Sequence, residues 1–262
     1  MRFMKTLLAG LAAAALPLAS QAAIVNVQVT VENLVAPNGV SFAPLRVGFH
    51  QGLFDAFNLG QVATAPIISV AEGGSGNAWF PAFAAADPTA TLGTVVPNPA
   101  GPLTPGASGT ASFMVDTDLN PFFTFAAMVV PSNDFFIGND SPTRHRLFDA
   151  AGNLLITNIL QRARDVWDAG SEIFDPAAAA FVGNNDLRAN QNSVVAFNFA
   201  ELAAFNGLTT AAGYTFNSGL TADTSIYRIS FALAPTPVPL PGGMPLLLGA
   251  MASLAAWSRR KA

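Results

Sequence analysis

Cysteine is absent from this chain, which excludes disulfide scaffolds, thiolate catalysis, Cys-ligated zinc and iron–sulfur clusters. Charge is scarce. Only 11% of the 262 residues are Asp, Glu, Lys or Arg, while 51% are hydrophobic, too apolar a balance for a disordered chain. Basic residues number 12 against 16 acids, so the basic face that a nucleic-acid binder needs is missing. Lysine occurs only as Lys5 and Lys261, at the two ends, which leaves the middle without Schiff-base chemistry. Histidine occurs only as His50 and His145, and no Gly-x-Ser-x-Gly elbow is present. Ser132 lies near Asp134, but neither histidine has a Ser–Asp context. The expectation is a protein that is not an enzyme. His50 follows an apolar stretch and reads as a hydrogen-bonded structural imidazole.

What is there begins with the two ends. Met1-Arg2-Phe3-Met4-Lys5 is a short cationic head. An apolar run from Leu7 to Ala19 and the small-residue site Ser20-Gln21-Ala22 follow. Together they read as a secretory signal peptide over residues 1–22, cut after Ala22. At the other end, Ala234-Pro235-Thr236-Pro237 is a proline-rich linker, and residues 235–243 carry it on through Val238-Pro239-Leu240-Pro241 to Gly242-Gly243. An apolar segment, Met244 to Trp257, then meets Arg259-Arg260-Lys261, so residues 244–262 read as a short helix stopping in a membrane with its basic cluster in the cytoplasm. From Gly242 to Trp257 such a helix spans only about 24 Å, thin for a bilayer. The order of motif, helix and basic tail resembles the bacterial PEP-CTERM sorting signals in their Val-Pro-Leu-Pro variant. That resemblance implies cutting by an exosortase-type enzyme, transient membrane contact, and delivery to the cell surface or matrix of a Gram-negative-type bacterium. A plain C-terminal anchor is the alternative.

Without its ends the chain keeps Arg46, Arg144, Arg146, Arg162, Arg164, Arg188 and Arg228 against all 16 acids, a formal charge of −9. Such a domain repels nucleic acid and anionic lipid unless a cation intervenes. Its natural small partner is a divalent metal.

Residues 23–234 read as one domain. Val25, Val27, Val29 and Val31 alternate with polar residues, the period of a half-buried strand. Phe42 to His50, Thr110 to Thr117, Val194 to Phe199 and Tyr227 to Leu233 are further strands, and the apolar run Phe122 to Val130 reads as a strand buried on both faces. Helical signals are few: Asp55 to Leu59 and Asn158 to Val166. Pro97 to Gly109 is a turn-rich loop, and Pro176 to Ala180 a loop or short helix. Short strands with turn signals predict an all-β, antiparallel β-sandwich with few short helices. The 21 Phe residues can fill the space between its sheets.

Two acidic segments stand out. Pro131 ends pairing after the buried strand because it lacks an N–H, and this lifts Asp134 to the rim of the sandwich. Trp167-Asp168-Ala169-Gly170-Ser171-Glu172 places two carboxylates four apart across a flexible glycine. Calcium takes six to eight oxygens from carboxylates, carbonyls and water. A loop holding Asp168 and Glu172 could wrap one ion, with Asp134 closing the cage; solvated loop acids are the alternative. Asp140 and Asn139 could add oxygens, and Glu72 is a weaker candidate.

At these residues the chain resembles the spondin N-terminal domain. The family pattern Pro-Ser-x-Asp-aromatic-x-x-Gly stands here as Pro131 to Gly138, and its Trp-Asp-Ala-Gly-Thr-Asp segment as Trp167 to Glu172. Phe42-Ala43-Pro44-Leu45, His50 and Ala71-Glu72-Gly73-Gly74 support the likeness, which runs from about Ile24 to Leu233. The resemblance implies a β-sandwich akin to calcium-dependent membrane-docking domains, with calcium held by Asp134, Asp168 and Glu172. Trp167 would pack on the sheet and fix the loop of Asp168, with Gly170 giving that loop its turn. Glu172 departs from the usual Asp by one methylene, and Phe135 stands where Trp is common. The implied role is an exported calcium-binding adhesion module that engages extracellular polysaccharide or another matrix polymer. A structural surface protein using calcium only for folding, and a carbohydrate-active hydrolase, are the alternatives.

Overall fold

The computed structural model describes residues 24–234. The expected signal peptide (1–22), the linker with Val238-Pro239-Leu240-Pro241 (235–243) and the apolar tail (244–262) lie outside the described residues.

The first strand, β1 (Ile24–Asn33), is the period-two segment, and its inward valines Val27, Val29 and Val31 are buried. It is central in a four-stranded antiparallel sheet, pairing with β5 (Ser108–Asp116) on one side and β11 (Ser225–Ala234) on the other. The edge strand β8 (Asn158–Arg162) lies beyond β11. The larger sheet has seven strands. Its order runs β10 (Ala196–Phe197), β9 (Trp167–Asp168), β7 (Phe135–Gly138), β6 (Phe122–Val130), β3 (Leu45–His50) and β4 (Thr91–Val95), with β2 (Ser41–Phe42) also pairing with β6. The two sheets face each other across a core of Val27, Val29, Phe49, Phe123, Phe125, Ile229 and Phe231. The expected all-β antiparallel sandwich is the observed fold.

The outer face of the larger sheet is covered as well. Helices α1 (Ala65–Gly73) and α2 (Trp79–Ala86) lie there, and Ile67, Val70, Trp79 and Phe83 pack with Ala126, Phe136 and Trp167. This second layer explains the unbroken apolar run of β6. Phe123, Phe125, Ala127 and Val129 face the other sheet, while Ala126 faces the helices, and a strand covered on both faces loses its alternation. Among the described residues, no helix is long and apolar enough to cross a membrane.

Several local expectations need correction. Asp55 to Leu59 is not a helix. Five residues are too few to nucleate one, and Phe54, Ala56 and Phe57 drop into the helix-side core as irregular chain. The Asn158–Val166 segment is strand β8 followed by a 3-10 turn at Ala163–Asp165. Ile159 and Gln161 alternate inward with Asn158 and Leu160 outward, and cross-strand pairing with Ile229 and Tyr227 overrides the weak helical spacing. The Val194 to Phe199 strand shrinks to two residues. Helices α1 and α2 and strands β4, β7 and β9 went unforeseen.

Candidate metal centre

The register of the larger sheet brings the two acidic segments together. Strand β7 pairs with β9 so that Phe135 lies opposite Asp168 and Phe136 opposite Trp167. Asp134, just before β7, therefore sits beside the chain that leaves β9. The turn before it is closed by Ser132, whose Oγ donates to the Val129 carbonyl (2.6 Å) and accepts from the Phe135 N–H (3.1 Å). Asn133 makes two bonds with the backbone of Asp175, at 3.1 and 3.2 Å. The Ala169 N–H donates to the Asp134 carbonyl at 3.2 Å.

Asp134 is 2% exposed. Its Oδ2 accepts from the Ser171 N–H (2.7 Å), the Ser171 hydroxyl (3.1 Å) and the Glu172 N–H (2.9 Å). Burial, followed by the charge of Asp168, pushes its carboxyl up to about 6, against the lowering effect of those three donors. Asp168 accepts from the Gly170 N–H at 2.7 Å through Oδ1 and from the Asn198 amide at 3.2 Å through Oδ2. Burial raises its pKa too. Glu172 is 3% exposed and raised by burial, while its bond to Arg188 acts the other way. Glu172 Oε1 meets the Arg188 guanidinium, which also reaches the Glu72 carbonyl (3.2 Å) and Glu72 Oε2 (3.7 Å). Glu172 Oε2 is buried without a hydrogen-bond partner.

Two other residues hold this loop. Gly170 has φ +64°, and a Cβ there would come within 2.9 Å of the Val194 carbonyl oxygen. Trp167, 5% exposed, donates its indole N–H to the Gly138 carbonyl at 3.0 Å. Its ring stacks between Phe136 and Phe197, with centroids 6.4 and 3.8 Å away, and meets Phe57 edge-on.

The structure thus gathers Asp134, Asp168 and Glu172 at one rim of the larger sheet. It does not arrange them as a ready cage: among the described residues, no group of three or more His, Asp or Glu side chains is set to hold a metal ion. Backbone N–H groups, Asn198 and Arg188 supply the positive partners instead. The chemistry of the rim nevertheless fits a hard cation, because every side-chain donor is a carboxylate oxygen, all three acids are raised, and Glu172 Oε2 stands orphaned.

Asn139 and Asp140 do not belong to this rim. They follow the far end of β7, where Asn139 serves the fold: its Oδ1 accepts the Phe125 N–H at 3.0 Å and its amide donates to Thr124 and Ser141. Glu72 does reach the rim, through Arg188. Arg188 itself and Asn198 escaped the sequence reading, since a lone arginine in a loop sixteen residues beyond Glu172 carries no spacing signal. His50 lies elsewhere, on β3. Its Nδ1 accepts the Gly52 N–H (3.0 Å), so Nε2 carries the proton donated to Thr124 Oγ1 (2.9 Å). Compared with protein-family models and with curated proteins, the chain matches none.

Proposed function

We propose that the protein is an exported, non-catalytic adhesion module of the cell surface or extracellular matrix, with a calcium ion at the Asp134–Asp168–Glu172 rim. The observation that carries this reading is the orphaned Glu172 Oε2 near the buried carboxylate of Asp134 and the half-buried one of Asp168. Arg188 meets only Oε1, and leaving the second oxygen of a buried carboxylate without a partner costs about 1–3 kcal/mol unless a further positive charge meets it. Calcium would supply that charge and draw the two loops together. Asp134, Asp168 and Glu172 would be its carboxylate ligands, with Trp167 and Gly170 holding the loop.

The signal peptide, the Val238-Pro239-Leu240-Pro241 motif and the basic tail support export and processing by an exosortase-type enzyme. The formal charge of −9 between them supports a partner other than nucleic acid. A matrix polysaccharide is the partner class this reading favours. The non-catalytic reading is supported by Ser132, whose hydroxyl is committed to two backbone groups, and by His50, held between Gly52 and Thr124. One observation favours a second reading, in which calcium serves folding alone: Asp134 already ties the two loops through three bonds.

Pull-down of the protein on extracellular polysaccharide, with calcium and with EDTA, tests the proposal. Adhesion that needs calcium and is lost in Asp168→Ala supports it. A variant that adheres normally but melts earlier supports the folding-only reading. Adhesion indifferent to calcium and to the substitution overturns the ion's role.

A further inference from the structure

The two sheets end on the same side of the sandwich. There β8, the edge of the smaller sheet, lies across from the ends of β7, β9 and β10, and a cleft of about 370 Å³ opens between them. This volume falls within the range of small-molecule sites, about 300–1,000 Å³. The cleft shares Trp167 with the acidic rim but none of its three carboxylates, and the adhesion reading assigns it no role.

We propose that this cleft binds a neutral oligosaccharide, which gives the adhesion module its recognition site; the inference rests on that reading for the polymer but not on the calcium. One wall is a fixed aromatic plate. Phe197 is 51% exposed and stacks on the buried Trp167 ring at 3.8 Å and 27°. The strand register repeats the stack, with Phe136, Trp167 and Phe197 in line across β7, β9 and β10. A half-exposed ring stacked on a buried tryptophan, itself backed by Phe136, offers an apolar face on which a sugar ring can rest, at little entropic cost.

The rest of the lining mixes Ile156, Ile159 and Leu160 with polar groups, several of which have unused hydrogen-bonding capacity. Gln161, on β8 and 8% exposed, has its amide oxygen buried with no hydrogen-bond partner. Asp140 and Arg144 line the same cleft, and among the described residues neither has a side-chain hydrogen bond or ion pair. Asp165 also lines it, with one carboxylate oxygen taken by the Arg162 N–H at 2.8 Å. Amide and carboxylate oxygens accept from hydroxyls, and the guanidinium donates to ring or hydroxyl oxygens. Two carboxylates against one arginine repel phosphate or uronate, so the fitting ligand is rich in hydroxyls and uncharged.

The test is calorimetric titration of the full protein, in calcium and again in EDTA, with four neutral tetrasaccharides built from glucose, galactose, mannose and N-acetylglucosamine. Trp fluorescence is recorded in parallel. At least one tetrasaccharide is expected to bind in both buffers and to perturb the Trp emission. Phe197→Ala and Gln161→Leu should each weaken that binding about tenfold or more, the scale of one lost stacking or hydrogen-bond contact. Both variants should keep the far-ultraviolet spectrum of the parent, since Phe197 is exposed and Leu fills the volume of Gln161. No heat and no fluorescence change with any of the four up to about 10 mM, a ceiling for useful affinity, overturns the inference. So does binding that Phe197→Ala and Asp140→Asn leave unchanged. Sugar binding retained in EDTA while calcium has no effect on the protein defeats the ion reading alone; calcium binding without sugar binding defeats the cleft alone.

Discussion

Replacing Arg188 by Gln removes the guanidinium that meets Glu172 Oε1 and the Glu72 carbonyl. Glu172 is 3% exposed, its other oxygen has no partner, and burial already raises its pKa. The substitution leaves an ionised carboxylate in the protein with no counter-charge. Breaking a buried pair in this way costs about 3–5 kcal/mol. Arg188 keeps 24% of its side chain in solvent, which discounts the loss to about 2–4 kcal/mol. A domain of this size loses about 2–4 °C in Tm per kcal/mol, so the variant should melt about 4–16 °C below the parent in EDTA. Calcium should then stabilise it. An ion bound only to the folded state adds about 2.7 kcal/mol at a hundredfold excess over Kd, and the gain should be larger in Arg188→Gln than in the parent because the arginine no longer competes for Glu172. Differential scanning calorimetry across EDTA and millimolar calcium reads all of this. A variant that melts with the parent in EDTA would show that Glu172 is not dependent on Arg188. A variant that falls but gains nothing from calcium would refute the idea that the same carboxylate serves a metal.

Other consequences are simpler to read. His50 is fully buried and held down to about 4, chiefly by burial. The unfolded chain therefore takes the proton first, so stability is full above about 6.5 and falls as pH drops toward 4, by about 3 kcal/mol from this residue. Urea unfolding at pH 7 and 4.5 should show a smaller difference between the two pH values in His50→Gln than in the parent. Gly170→Ala forces a Cβ to 2.9 Å from the Val194 oxygen at positive φ. About 1–2 kcal/mol from the left-handed backbone alone should be lost, measurable as a lower urea midpoint with an unchanged slope. Phe83→Ala should cost about 3–5 kcal/mol, because Phe83 is fully buried and touches Phe54, Trp79 and His50.

The sandwich was legible where burial is one-sided. Val27, Val29 and Val31 alternate cleanly because one face of β1 meets the core and the other meets water, and the same holds for the expected strand near Tyr227. The run Phe122 to Val130 announced a strand covered twice, but not by what. The covering helices were harder to see. α1 carries readable punctuation, Pro66 in its first turn and Gly74 at its left-handed end, yet its nine residues hold a single i, i+3, i+4 set, Ile67, Val70 and Ala71, too short a run for the helical period to stand out. α2 is likewise a short apolar segment, with Pro81 in its first turn. Strand β8 misled because Ile159, Arg162 and Val166 share helical spacing, whereas the partner strand β11 is distant in sequence and decides the outcome. At the rim, Asp134, Asp168 and Glu172 were legible from the two acidic segments. Their donors were not: Ser171 and Glu172 act through backbone N–H groups, and Arg188 and Asn198 arrive from loops whose path only the fold determines.

Equilibrium dialysis of the metal-stripped protein against calcium measures the central claim most directly. One ion bound per chain, saturably, in the parent and lost in both Asp134→Ala and Asp168→Ala, is the result expected. No calcium retained at millimolar free ion, or the same retention in parent and variants, would contradict it.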